Sequence, residues 1–372
     1  MKILMACPLF PPDTGVSTLR MKSFYDQFCA QGHDVEVLKL GEKTDFSGNT
    51  KLIDRSLFRS FFSSLLLRWK IRAVVSPLLT RYDLVLVSAT PYQLYSIAHC
   101  AKLAGVPFLL DLRDLPDLTN SEQKGMKHPL WLSLKSWLID LYIKDIARHS
   151  VALLCVGAIA TAFTQLKLKG IPTRVVNVHN GFDLSDLKLV RDSAPPVVER
   201  ETGLVVGCVG NIHNFRDTND LRTTLSRLNQ RAEPVTFLHW GKAGGTLLTY
   251  IYTLKNIKYV ACQPVPRATL LKELHRLDCF LLACAEDLIW EPTTSVFDYI
   301  LYDKPVIFTG LRNNEAYCIL KNTQTRIISA GEIKNFDFDL AFKKNADLLH
   351  CYSREYQFQS LLEVMRFKQE AS

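Results

Sequence analysis

The chain has 372 residues, 48% of them hydrophobic and 22% charged, a composition that argues against a disordered chain and, at about 100–200 residues per domain, predicts two domains. No run of about 18 uncharged apolar residues occurs, which argues against a spanning helix, and no charged-then-apolar leader precedes the first strand, so no secretory signal is expected. The net charge of +8 is mild and accompanied by no recognisable module, so nucleic-acid binding is not expected.

In chain order, "KILMAC" (2–7) predicts a strand whose unbroken apolar run suits a sheet covered on both faces. "PLFPPDT" then separates it from a helix over 16–31, a wider gap than the usual βα turn of about 2–6 residues. A dinucleotide fingerprint, G-x-G-x-x-G, would occupy this turn and is absent. Instead, Asp13 and Thr14 offer N-caps and Gly15 allows close backbone approach, so this helix mouth is a candidate phosphate site. A capped helix without a ligand is the alternative.

A strand at 34–39 follows. Residues 51–81 then carry seven basic side chains and one acidic among many large apolar ones. They predict a helix over 56–80, lying either at an anionic membrane surface or on its own domain with its basic face in water. This segment belongs to a basic half: residues 1–190 carry 23 Lys/Arg against 16 Asp/Glu, residues 191–372 carry 22 against 21.

Strands at 82–88, 106–112, 151–157 and 173–180 alternate with helices at 91–104, 130–148 and 158–169. That alternation predicts a parallel α/β sheet covered on both faces. "LLDLRDLPDL" places Asp111, Arg113 and Asp114 just past the strand at 106–112, as a functional cluster or a structural ion pair. His179 and His239, single histidines on strands, are read as structural.

Residues 182–203 are polar, contain Pro195-Pro196 and read as a linker. A second α/β series follows, with strands at 204–211, 235–241, 257–265, 279–284, 304–310 and 325–330. Helices are predicted near 218–230, 246–254, 267–276 and 293–301, with a closing amphipathic helix over 352–370. The organisation expected is an N-terminal domain over 1–185, a second over 200–350 and a closing segment over 351–372. Ligands of open α/β sheets sit outside the carboxyl ends of the strands, so the chemistry is expected in a cleft between the halves. The ten cysteines form no C-x-x-C pair and read as buried reduced thiols, which suits a reducing cytoplasm with no zinc site and no disulfide frame.

"GNIHNFRDTNDL" leads from a strand into a helix and offers Gly210, Asn211, His213 and Arg216. Arg216 can hold a diphosphate bidentately or be an ordinary loop arginine. "EDLIWEPTTSVFDYILYDKPVI" supplies Thr293, Thr294 and Ser295 for a helix start, where hydroxyls and N–H groups converge. Asp298, inside that helix, can accept hydrogen bonds from a ribose or be a solvated helix residue.

Together with "YDLVLVSATPYQL", "GVPFLLDLRDLPD", "VVNVHNGFD", "VVGCVGNI", "VPRATLLKELHRLDCFLLAC" and "FDYILYDKPVIFTG", these stretches resemble the GT-B glycosyltransferases, and among them the retaining family 4 enzymes of bacterial capsule, O-antigen and exopolysaccharide synthesis. The resemblance implies two Rossmann-like domains facing across a cleft, with the C-terminal helix packing back toward the N-terminal domain. It implies transfer of a sugar, with retention, from a UDP- or GDP-linked donor to a glycan or polyprenyl-linked acceptor. No metal or cofactor is implied, and the location is cytoplasmic, at the inner face of the membrane through 51–81.

By the same resemblance, Thr14 and Gly15 stand at the family's Gly-Gly pair and Asn211 stands where an Arg is usual. Arg216 falls at the family's diphosphate Lys. Asp298 takes the second, ribose-binding position of E-x7-E. The first position of that pair is Trp290, so Glu291, Asp287 or Glu286 is left to contact the sugar. The donor set is thus Thr14, Gly15, Arg20, Gly210, Asn211, Arg216, Glu291, Thr293, Thr294, Ser295 and Asp298, with Arg113 and Asp114 flanking the acceptor and Arg216 stabilising the leaving group. Rival readings are a nonhydrolysing UDP-sugar 2-epimerase of the same fold and a catalytically degenerate GT-B binding subunit.

Overall fold

The structure is a computed structural model that describes residues 1–13, 15–41, 50–54, 72–73, 75–88, 94–113, 141–193, 203–286, 288–290, 293–338, 343–345 and 347–371. The chain divides into two compact units. The first is Met1–Asn180 together with Arg354–Ser372, and the second is Gly181–Ser353.

The first unit is built on β1 (Lys2–Cys7), β2 (Asp34–Gly41), β3 (Thr50–Asp54), β4 (Leu84–Ser88), β5 (Phe108–Leu112), β6 (Ala152–Cys155) and β7 (Val175–Asn177). These form one parallel sheet in the order β3-β2-β1-β4-β5-β6-β7. Successive side chains of a strand point to opposite faces, and Ile3, Met5 and Cys7 share one of them. They pack there with Met21, Phe24 and Phe28 of the helix Val16–Ala30 and with Phe358, Leu361 and Leu362 of the helix Arg354–Ala371. The Phe358 ring meets Phe28 edge-on at 4.9 Å and Phe24 at 6.2 Å; aromatic pairs of this kind add about 0.5–1.5 kcal/mol beyond the area they bury. The closing helix therefore packs on the N-terminal sheet, as expected.

The second unit holds β8 (Leu204–Val209), β9 (Val235–Trp240), β10 (Ile257–Ala261), β11 (Cys279–Ala283), β12 (Val306–Thr309) and β13 (Ile327–Ile328), parallel and in the order β10-β9-β8-β11-β12-β13. One face packs Leu221, Leu225 and Leu247 against Val206 and Phe237. The other packs Val296, Tyr299 and Ile300 against Phe280 and Leu282. Strand order reverses between β1 and β4 in the first sheet and between β8 and β11 in the second. Connections there leave toward opposite sides and open a crevice at the carboxyl ends, where ligands of such sheets bind.

Three elements depart from expectation. Thr50–Asp54, which lies before the helix expected over 56–80 and within no expected element, is the edge strand β3, paired to β2 from Val37↔Thr50 to Gly41↔Asp54. A short charged run suits an edge, where a strand has only one partner. Residues 72–73 and 75–79 are helical, while 55–71 lie outside the described residues.

The stretch read as a linker contains the helix Leu184–Asp192. Its Val190 is buried, with Leu184 and Leu187 packed beside it, so an apolar stripe overrides a polar average. The helix expected over 293–301 is a single turn, Val296–Tyr299. Among the described residues no helix is long and apolar enough to cross a membrane. All ten cysteines are free, and burial pushes the Cys7 and Cys208 thiols up to about 12.

Behind that single turn, the buried Lys344 donates from Nζ to the Ile300 carbonyl at 3.0 Å. Burial pushes its ammonium down to about 7, only partly offset by Asp303, against 10.5 for an exposed lysine. The folded chain thus binds fewer protons than the unfolded chain between about pH 7 and 10.5, so this group makes stability rise with pH across that window. From pH 7 to 9, before the buried thiols oppose it, urea denaturation should show a rise on the order of 1 kcal/mol per pH unit from this group. Lys344→Met should flatten the profile, and an equal slope in both proteins would contradict the assignment.

Candidate functional site

At the second switch point, β8 ends at Val209 and the chain turns through Gly210. Its φ of +100° lies in the region that favours glycine, and nothing lies within 4 Å of where a Cβ would stand. The following loop is stapled to the end of β9: Gly210 N–H donates to Trp240 O at 2.9 Å, Ile212 N–H to Lys242 O at 2.9 Å, and Lys242 N–H to Asn211 Oδ1 at 2.9 Å. A 3₁₀ turn, Asn214–Arg216, closes the loop. Half-buried Arg216 donates there from Nη1 to the Asn211 carbonyl at 3.3 Å, and its charge reaches the Cys208 thiol, opposing the effect of burial.

Across the switch point, β11 leads to Cys284, whose Sγ lies 3.5 Å from Thr293 Oγ1. Thr293 and Ser295 are buried and Thr294 half-buried. Their carbonyls begin the short helix, Thr293 O accepting from Val296 N at 2.9 Å and Thr294 O from Phe297 N at 3.1 Å. Tyr299 pins the two sides together. Its hydroxyl accepts from Val209 N at 2.7 Å and donates to Leu281 O at 3.3 Å, so the short helix that follows Thr293, Thr294 and Ser295 and carries Asp298 is tied to the end of β8, one residue before Gly210.

Asp298 is not the solvated helix residue of the bland reading. It is buried, and its Oδ1 lies 2.6 Å from Arg267 Nη2, which also meets Asp186 Oδ2 at 3.0 Å. A guanidinium shared by two carboxylates fixes the rotamer of each. Glu286 is exposed and Trp290 half-buried; Asp287 and Glu291 lie outside the described residues.

The first unit presents its own strand ends. The helix Val16–Ala30 opens at exposed Gly15, φ +125°, with no side-chain cap. Asp13 does not cap it. Its Oδ2 accepts from Phe10 N at 3.1 Å and meets the buried Lys39 Nζ at 2.9 Å, because an amine taken out of water needs a counter-charge. Thr14 lies outside the described residues. Ser17 and Thr18 place buried hydroxyls in the first turn with no partner among the described residues.

Arg20 departs most from expectation. Placed with the donor by resemblance, it is 1% exposed and turned inward. Nη2 meets Asp111 Oδ1 at 2.8 Å, while Nη1 donates to Val178 O at 2.8 Å and His179 O at 2.9 Å. The structural alternative for Asp111 is therefore the one observed, and Arg20 is spent on holding β5 to the end of β7. Burial, aided by the charge of Arg20, pushes His179 down to about 4, so the ring is neutral. Arg113 is half-buried, its Nε buried without a partner among the described residues. Asp114 lies outside the described residues.

By sequence the chain matches no family model and no curated protein. By structure it matches the lipopolysaccharide outer core galactosyltransferase WaaB with a TM-score of 0.64 at 12% identity, over 99% of this chain and 100% of that one. The fold is GT-B. Other GT-B structures it resembles are HepE of Anabaena in complex with UDP and glucose (TM-score 0.57, 14% identity, 100% and 98% covered) and the UDP-GlcNAc 2-epimerase of Methanocaldococcus jannaschii (TM-score 0.59, 10% identity, 99% and 100% covered).

Within this GT-B chain, sequence reasoning missed Tyr299 and Arg267. Neither carries a local signal, because their partners lie on other elements. The stretch "FDYIL" does mark Tyr299 as an aromatic beside the expected ribose acid, and that proximity was the one available hint.

Proposed function

We propose that the protein is a retaining, metal-independent glycosyltransferase, hexosyltransferase-like, that moves a sugar from a UDP- or GDP-linked donor to a glycan or polyprenyl-linked acceptor in cell-surface polysaccharide synthesis. The observation that carries this reading is the hydrogen bond from Val209 N to Tyr299, which ties the strand end that leads to the open glycine turn and Arg216 to the helix that carries the fixed carboxylate of Asp298. Arg216, beside the open glycine turn, matches a diphosphate, and as the glycosidic bond breaks it stabilises the charge that develops on the leaving phosphate. Asp298, an acceptor of hydrogen bonds, matches ribose hydroxyls. Arg20 is left out of the donor set. Arg113 and Asp114, at the end of β5, are assigned to the acceptor, and the leaving phosphate takes the acceptor proton.

WaaB, by its name a lipopolysaccharide outer core galactosyltransferase, supports a surface-polysaccharide role, and HepE, bound to UDP and glucose, supports a nucleotide-linked donor. The basic first half supports a cytoplasmic protein peripheral to the inner face of the membrane, with 51–81 as the contact. The comparable fold likeness to UDP-GlcNAc 2-epimerases favours one second reading, an epimerase.

Radiolabelled UDP- and GDP-sugars incubated with pure protein and a membrane fraction separate these readings. Label should move into lipid-extractable material, with the donor's anomeric configuration kept and no loss of rate in EDTA. Isomerised free nucleotide sugar would instead establish the epimerase, and binding without turnover a degenerate subunit.

A further inference from the structure

His239, in β9, is fully buried. Its Nε2 lies 2.8 Å from the Gly210 carbonyl and its Nδ1 lies 2.9 Å from the Tyr259 hydroxyl. A carbonyl only accepts, so Nε2 carries the hydrogen; in the neutral ring Nδ1 then accepts from Tyr259. Burial holds the ring below the usual histidine pKa, which favours that neutral form. Gly241 leaves room for the same carbonyl, since a Cβ there would stand 2.2 Å from Gly210 O. The Gly210 carbonyl is thus drawn inward by His239 into space that a side chain at 241 would fill.

Across a trans peptide the C=O and the next N–H point in opposite directions. With the Gly210 carbonyl drawn toward His239, the N–H of the exposed Asn211 points the other way, and no acceptor takes it among the described residues. The Asn211 carbonyl is itself occupied by Arg216 Nη1. Both carbonyls of the turn are therefore engaged by donors, and what the turn presents is an amide hydrogen beside a guanidinium, over a glycine with open space in place of a side chain. An amide hydrogen and a guanidinium side by side are two donors suited to one anion, and hydrogen bonds to a charged group are the stronger ones.

We propose that His239 is a positioning residue, which by holding the Gly210 carbonyl inward aims the Asn211 N–H at a phosphate oxygen of the nucleoside diphosphate. The inference rests on the nucleotide-sugar reading above. Its chemistry predicts selectivity: the histidine acts on the diphosphate and not on the nucleoside. Tyr259 contributes by donating to Nδ1, which holds the ring in the orientation that turns Nε2 toward the carbonyl.

The test is calorimetric binding of UDP, GDP and ADP, and of uridine, guanosine and adenosine, to wild type, His239→Leu, His239→Gln and Tyr259→Phe, with folding checked by circular dichroism. For the diphosphate that binds, His239→Leu should weaken affinity about tenfold, as expected for one hydrogen bond to a charged group. The matching nucleoside should be unaffected, and His239→Gln, whose amide can donate to the same carbonyl, should recover most of the loss. Tyr259→Phe should lose less, in the same direction, and decides the matter if His239→Leu does not fold. Unchanged diphosphate affinity, or equal loss of diphosphate and nucleoside, overturns the inference alone. Failure of the wild type to bind any diphosphate overturns the nucleotide reading and this inference together.

Discussion

Arg216→Ala should weaken nucleoside diphosphate binding about 100-fold, which corresponds to about 2.7 kcal/mol, while leaving the unfolding curve within about 0.5 kcal/mol of wild type. The size follows from the chemistry. A guanidinium fork makes two charge-assisted hydrogen bonds to a diphosphate, each worth about 1.5–3 kcal/mol. The small effect on folding follows from position, since Arg216 ends a loop turn and is only half-buried. Its Nη1 hydrogen bond to the Asn211 carbonyl is long, at 3.3 Å. Arg216→Lys should keep the charge and lose the fork, recovering part of the affinity. A thermal-shift titration decides it: a diphosphate-induced Tm rise as large in Arg216→Ala as in wild type would sink the assignment.

Arg20→Met should do the opposite, costing about 3–5 kcal/mol of stability with no matching loss of nucleotide affinity. Removing the guanidinium strands the fully buried carboxylate of Asp111 and two carbonyls, at Val178 and His179. Replacing both partners, Arg20→Met with Asp111→Leu, should recover most of the stability, because no charge is then left unpaired in the core. Urea melts of the single and double variants provide the measurement. A single variant as stable as wild type but unable to bind nucleotide would return Arg20 to the donor set.

These two arginines mark how far the sequence could be read. The strands were legible because runs such as "KILMAC" and "CFLLAC" are buried on both faces and carry no ambiguity of period. β3 was not, since an edge strand such as "TKLID" has neither the apolar content nor the alternation that identifies a central one. The helix Leu184–Asp192 was hidden by its charged residues, one of which, Asp186, is held by Arg267 from 81 residues away. The place of Arg216, in a loop just after a strand end, was legible from the run that precedes it. Arg20 misled, because position on a helix near a loop does not disclose which way a side chain turns. That direction was settled by Asp111, 91 residues on. Long-range pairing of charges is the part of a site that spacing along a chain does not encode.

The packing of the last helix has a consequence for how the molecule is made. The sheet of the first unit covers one face with Phe358, Leu361 and Leu362, which are synthesised after the whole of the second unit. That second unit, an uninterrupted segment from Gly181 to Ser353, has its core in hand before the first unit does. On the ribosome the order of completion is therefore inverted, and the earlier-made sheet stays open, its aromatic face waiting, until the helix that follows Ser353 has emerged.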